Sequence, residues 1–350
     1  MVRPGLAAGG DAGLPPAAHQ EHRSILTLLA PNEGVTGAKA VTALLALRAD
    51  PSALTIRHPN LVFRPAPERL AHWRTSGVAT DVFDSGHETV HHRYTELGLS
   101  QLLPLSRVLV GAESASPGTF GGFHHPDQGY RHLQMASVIT MYGPLETAAP
   151  QHPELALLDL LRAYAHDCLH YGSRRQYVDV GGRPTRTQYG INFRRVAGRS
   201  YSATDPQDTS GTRNIGVVME GACDREARRI TRETAERAGL HEPADPMGRL
   251  AFRDSTGTLL PEDVATATGA RYADALHRYE AGVNLKYAQF LTEFGLGEEE
   301  ELHGHLLRAM ISGDVQRLST WLDARHGPGT FPGIFLSGTY FAPDRLRGES

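Results

Sequence analysis

Cysteine is nearly missing: Cys168 and Cys223 are the only two in 350 residues. That is too few for a disulfide framework and agrees with a reducing compartment. No apolar run reaches the length that a membrane-spanning helix needs, so no membrane partner is expected. The opening MVRPGLAAGGDAGLPPAAHQEH has the Ala, Gly and Pro bias of a loose tail and lacks the apolar core of a signal peptide. Residues 1–22 are therefore expected to be disordered, and the protein is expected to be cytoplasmic. Long Lys/Arg runs are missing too, and the formal net charge is −4. A phosphate-backbone partner would leave an electrostatic footprint that this chain lacks, so no nucleic acid is expected.

What is present suits a folded chain with a sizeable core, as one large domain or two smaller ones: 40% of the residues are hydrophobic and 21% charged. From 23 to 150, short apolar runs such as LTIRHPNLVFRPAPERL, SRVLVGAESASPGTFGG and RHLQMASVITMYGPL alternate with turn residues, which predicts a β-rich region. From 151 to 350 the period changes. PELALLDLLRAYAHDCLH opens on Pro153, a residue suited to a helix start, and Leu155, Leu158, Leu161 and Leu169 recur at helical spacing. The stretch around 185 to 196 reads as strand and is followed by a Gly, Ser, Asp and Thr loop. NIGVVMEGACDREARRITRETAERAGL then reads as a helix with one solvated face. Further helices are expected at about 261 to 294 and 298 to 325, and GPGTFPGIFLSGTYFAP is expected to be extended. The expected class is α+β, with a β-rich N-terminal part whose edge-strand sheet packs on one central helix, and a mainly helical, metal-binding C-terminal part.

That central helix carries AYAHDCLHYG, with His166 and His170 four positions apart and Asp167 directly after the first. Four positions amount to about 400° of rotation and about 6 Å of rise, so both imidazoles leave one face. Asp159 and Arg162 extend the same polar stripe. With 18 histidines in the chain, such a pair also arises as ordinary core or surface histidine, and a catalytic zinc wants three protein ligands and one open position. Glu220, in VVMEGACDREARR, supplies a carboxylate on another expected helix, with Asp224 one turn further on. Asp224 is placed to accept a hydrogen bond from the free ring N–H of a ligating histidine. Asp and Glu near a helix N-terminus also simply favour the macrodipole. The two cysteines beside these motifs read most simply as small buried side chains, with a Cys168–Cys223 bridge or thiolate ligation as the alternatives.

His166-Asp167-Cys168-Leu169-His170 followed by Glu220-Gly221-Ala222-Cys223-Asp224 resembles the gluzincin, thermolysin-like zinc metallopeptidases over roughly residues 130 to 235. In that family a His-Glu-x-x-His helix is joined by a Glu on a downstream helix. The resemblance implies zinc held by His166, His170 and Glu220, with Asp167 as general base and Asp224 behind the ligands. It also implies a peptide or amide-containing small molecule as substrate, with an extended substrate paired to an edge strand. SVITMYG or RTQYGINFRR would supply that strand. The departure is Asp167 itself, one methylene shorter than the family's Glu.

A second stretch, His87-Glu88-Thr89-Val90-His91, matches the literal zinc-peptidase pattern better. The turn signal Asp84-Ser85-Gly86 and the residues Thr89, Val90, Tyr94 and Thr95 favour a strand here. On a strand the two histidines would stand about 13 Å apart, too far to share an ion. His124, His125 and His132 read as a loop cluster that could line a cleft. Tyr189, Arg194, His303 and His305 are open candidates for oxyanion or substrate contacts. Two function classes compete with the hydrolase. Two histidines and one carboxylate also make the Fe2+ triad of non-haem iron oxygenases, and a non-catalytic metal- or peptide-binding protein would use the same residues.

Overall fold

The computed structural model describes residues 33–36, 57–58, 61–114, 121–125, 130–134, 151–193, 215–266 and 271–335, with single positions between 39 and 46. The chain is a mixed α+β protein. In order come β1 (Glu33–Thr36), β2 (Arg57–His58), β3 (Leu61–Pro65), α1 (Ala66–Thr75), α2 (Asp81–Glu96), β4 (Val108–Ser114), β5 (Gly121–His125), β6 (Tyr130–Gln134) and α3 (Pro153–Gly172). The hairpin β7 (Arg175–Val180) and β8 (Arg183–Tyr189) follows, then β9 (Asn192–Phe193) and the long α4 (Ile215–Arg237). The remainder is helical: α5 (Pro246–Thr256), α6 (Pro261–Thr266), α7 (Arg271–Tyr279), a π-helical stretch Glu280–Asn284, α8 (Leu285–Gly295), α9 (Glu299–Ser312), α10 (Gln316–His326) and α11 (Thr330–Phe335). No helix among the described residues is long and apolar enough to cross a membrane.

The strands form two sheets. One runs β2-β3-β4-β6-β5, with β4 and β6 parallel and the other neighbours antiparallel; the second runs β1-β7-β8-β9, with only β1 and β7 parallel. At the centre lies α3, as the leucine spacing predicts: Leu155, Leu157, Leu158, Leu160, Leu161 and Leu169 are all buried. A helix apolar nearly all round must be covered on every side. Here α2, α4, α5 and the strands β5 and β6 supply the cover. The expected tail, residues 1–22, the SVITMYG segment and Arg194 lie outside the described residues.

Three expectations need correction. Among the described residues, the region from 23 to 150 is mixed rather than β-rich, because α1 and α2 stand among its strands. The His87–His91 segment lies within α2, not on a strand. Phe83, Gly86, Val90 and Tyr94 are its buried residues, and their spacing of three and four forms one helical face. Burial of that face outweighs the β preference of Thr89 and Val90, a weak and context-dependent term. At Gly86 a Cβ would stand 2.1 Å from Leu161 Cδ2, so the missing side chain is what lets α2 approach α3. Finally, Thr330–Phe335, expected to be extended, is helical. Phe331, Ile334 and Phe335 are buried, and Phe335 packs on Phe290 with ring centroids 5.6 Å apart. The i, i+3, i+4 pattern there is short and set among Gly and Pro, which hid it.

Candidate metal centre

Near its C-terminal end α3 brings His166 and His170 together, with ring centroids 4.6 Å apart and planes at 63°. Glu220, in the second turn of α4, faces both rings. Its Oε2 lies 3.3 Å from His166 Nε2 and its Oε1 lies 3.2 Å from His170 Nε2. The ligand atoms of the three residues fall within 4.8 Å of one another, and among the described residues no other group of three or more does so. Four ligands at zinc bond lengths of about 2.1 Å, tetrahedrally arranged, stand roughly 3.4 Å apart. The spacing therefore fits a divalent ion. His166 Nε2 is buried and lacks the angular geometry of a hydrogen bond to Glu220. Glu220 is the most exposed of the three, at 44% against 14% and 5% for His166 and His170.

The far side of each ring is also held. Asp167 Oδ1 lies 3.2 Å from His166 Nδ1, and the Tyr189 hydroxyl forms a short hydrogen bond with His170 Nδ1. A proton on each Nδ1 leaves the Nε2 lone pairs aimed at Glu220, the tautomer that a metal ligand requires. Burial pushes the His166 imidazole down from its ordinary value, with Glu220 acting against it. Burial alone would raise Glu220, but His170 and His166 hold its carboxyl far below the usual range. Burial keeps the Tyr189 phenol protonated by pushing it up.

Asp167 is thus not where a general base would stand. Its carboxylate is fully buried and lies on the Nδ1 side of His166, away from the Nε2 that faces Glu220. The shorter acid turns back against its own neighbour. Asp224 also departs from expectation. Arg162, one turn before His166, donates from Nη2 to Asp224 Oδ1 at 2.8 Å, and Arg228 Nε lies 3.0 Å from Oδ2. Burial would raise the Asp224 carboxyl, yet the two guanidiniums hold it at about 2. Arg162 also reaches Asp254 at 2.7 Å, so Arg162 ties α3, α4 and α5 together. Asp224 accepts from Arg162 and pairs ionically with Arg228, not with a histidine ring.

The rival motif gathers no third ligand among the described residues. Glu88 and His91 are exposed, and His87 stacks on Tyr164 with centroids 5.5 Å apart. His124, His125 and His132 fall on β5 and β6 rather than on a loop. His305 lies 3.5 Å from Glu301, and His303 belongs to a separate cluster with Glu226 and Tyr287. Cys168 and Cys223 are both free, and burial pushes the Cys168 thiol up to about 12, which disfavours a thiolate ligand. Of the open candidates within the described residues, only Tyr189 reaches the site. The strand that follows α3 was legible, but its return to the histidines was not.

Compared with family models, curated proteins and solved structures, the chain matches none.

Proposed function

We propose that this chain is a metal-dependent hydrolase of the zinc metallopeptidase type, acting on a peptide or amide bond. The observation that carries this is the meeting of three ligand atoms with both Nδ1 positions already occupied. His166, His170 and Glu220 would hold the ion, Zn2+ by the chemistry of the donor set. When bound, it supplies Lewis acidity toward water and a substrate carbonyl. Asp167 and Tyr189 fix the two rings, and the exposed side of Glu220 admits substrate. β5 lies against α3 and has a strand on one side only among the described residues, so its other edge suits an extended peptide. This arrangement is in keeping with the gluzincin resemblance, apart from the base.

One observation favours a second reading. With Asp167 turned to His166, the site offers, among the described residues, two imidazoles and a carboxylate without a separate base, which is the donor set of the non-haem Fe2+ triad. Both readings meet in one experiment: the purified protein is loaded with Zn2+ or, anaerobically, with Fe2+, and presented with a peptide library. Cleavage with Zn2+ supports the hydrolase. Oxygen consumption with Fe2+ and no cleavage supports the oxygenase, and neither activity points to a binding protein.

A further inference from the structure

Helix α4 has a second polar stripe beside the one that carries Glu220. Arg225, Arg228, Arg229 and Arg232 follow the i, i+3, i+4, i+7 spacing of one helical face. They line a cavity of about 300 Å3 whose other walls include Tyr287, His303 and the π-helical stretch Glu280–Asn284. That size lies at the lower end of small-molecule sites, and π-helical turns occur frequently at functional sites. None of His166, His170 and Glu220 lines this cavity.

Its acceptors are engaged. Glu226, fully buried, takes Arg93 Nε at 2.6 Å and Arg229 Nη2 at 2.9 Å on Oε1, and faces His303 Nε2 at 3.2 Å with Oε2. Glu280 Oε2 accepts from both Arg228 and Asn284, and Glu300 accepts from Arg225. Its donors have capacity left, since each guanidinium carries five N–H groups. Arg232 gives one to the Thr256 carbonyl at 3.0 Å and forms no ion pair with a carboxylate of the described residues. Arg229 shares the Glu226 carboxylate with Arg93 and has Glu233 Oε1 3.6 Å from its Nε, which leaves its Nη1 without a carboxylate partner among the described residues. The remaining capacity is cationic and rich in N–H groups.

We propose that this cavity binds a small phosphate-bearing molecule, with Arg229 and Arg232 as its anchors. Two forks one helical turn apart suit a group with three acceptor oxygens, whereas a single carboxylate satisfies only one fork. Inorganic pyrophosphate is the probe, titrated calorimetrically into the wild type, Arg232→Gln, Glu220→Ala and Arg317→Gln, an exposed arginine that does not line the cavity. Saturable binding is expected in the wild type, weakened about tenfold or more in Arg232→Gln, as loss of a charge-assisted hydrogen bond implies. Arg317→Gln and Glu220→Ala are expected to bind as the wild type does. Arg232→Lys, which keeps the charge without the fork, is expected to fall between wild type and Arg232→Gln and serves if the latter does not fold. Four results would overturn the proposal: no saturable binding, equal weakening in Arg317→Gln, loss in Glu220→Ala with Arg232→Gln intact, or binding of citrate but not pyrophosphate.

Discussion

The acid after His166 is an Asp, whose short side chain keeps its carboxylate close to the helix. At position 167 it ends buried, 3.2 Å from His166 Nδ1. A carboxylate there fixes a tautomer and raises the basicity of the opposite nitrogen. Asp167→Asn removes the charge at nearly constant volume. Zinc affinity is then expected to weaken by roughly 10- to 100-fold, the usual effect of losing a carboxylate behind a ligating histidine, and competition with a chromogenic chelator measures it. Unchanged affinity together with turnover lower by roughly 10² to 10⁴ would restore the general-base role. The histidine pair was legible because helical spacing is a local property; Glu220 stands on another helix, and local spacing says nothing of where it meets the pair. Asp167 and Asp224 were not legible, since the direction of a buried carboxylate depends on which cation or N–H reaches it from another turn or element. For Asp224 that partner is Arg162, 62 positions away.

The same limit governs elements. α3 and α4 could be read from apolar period and charge pattern, and both are found where expected. The β-branched residues and the Asp-Ser-Gly turn signal hide α2, although Phe83, Gly86, Val90 and Tyr94 form a helical stripe. The contact at Gly86 tests that correction. In Gly86→Ala the new methyl meets Leu161, so the helices must part or Leu161 must leave its rotamer, at a cost of about 1–3 kcal/mol. Urea denaturation is expected to show that loss, and Leu161→Ala in the same chain is expected to recover part of it through coupling at the contact. A neutral Gly86→Ala would mean that α2 does not pack on α3 as described.

For the molecule as a whole, buried charge between helices makes stability depend on pH. Asp224 is held at about 2 by Arg162 and Arg228 against the burial that would raise it. Glu226 is likewise held at about 2, against burial, by His303, Arg93 and Arg229. Both are depressed carboxylates. Their contribution is complete above the unfolded range near pH 4 and is lost as pH falls from there toward 2. His303 has the opposite charge and is pushed down chiefly by burial, against Glu226. The unfolded chain therefore takes up its proton first as pH drops below about 6.5, which erodes stability earlier and more gently. Thermal melts are expected to decline slowly from pH 7 to 5 and steeply below about 4; a flat profile down to pH 3 would contradict the described network.

The central claim is that His166, His170 and Glu220 together hold one divalent ion. Mass-spectrometric metal analysis of purified wild type, His166→Ala, His170→Ala and Glu220→Ala tests it most directly, with circular dichroism to confirm that each variant folds. The expected result is about one zinc per wild-type chain and a sharp loss in all three folded variants, since a site with an open position has no ligand to spare. Wild-type protein without a stoichiometric metal, or full retention in the three variants, would contradict it.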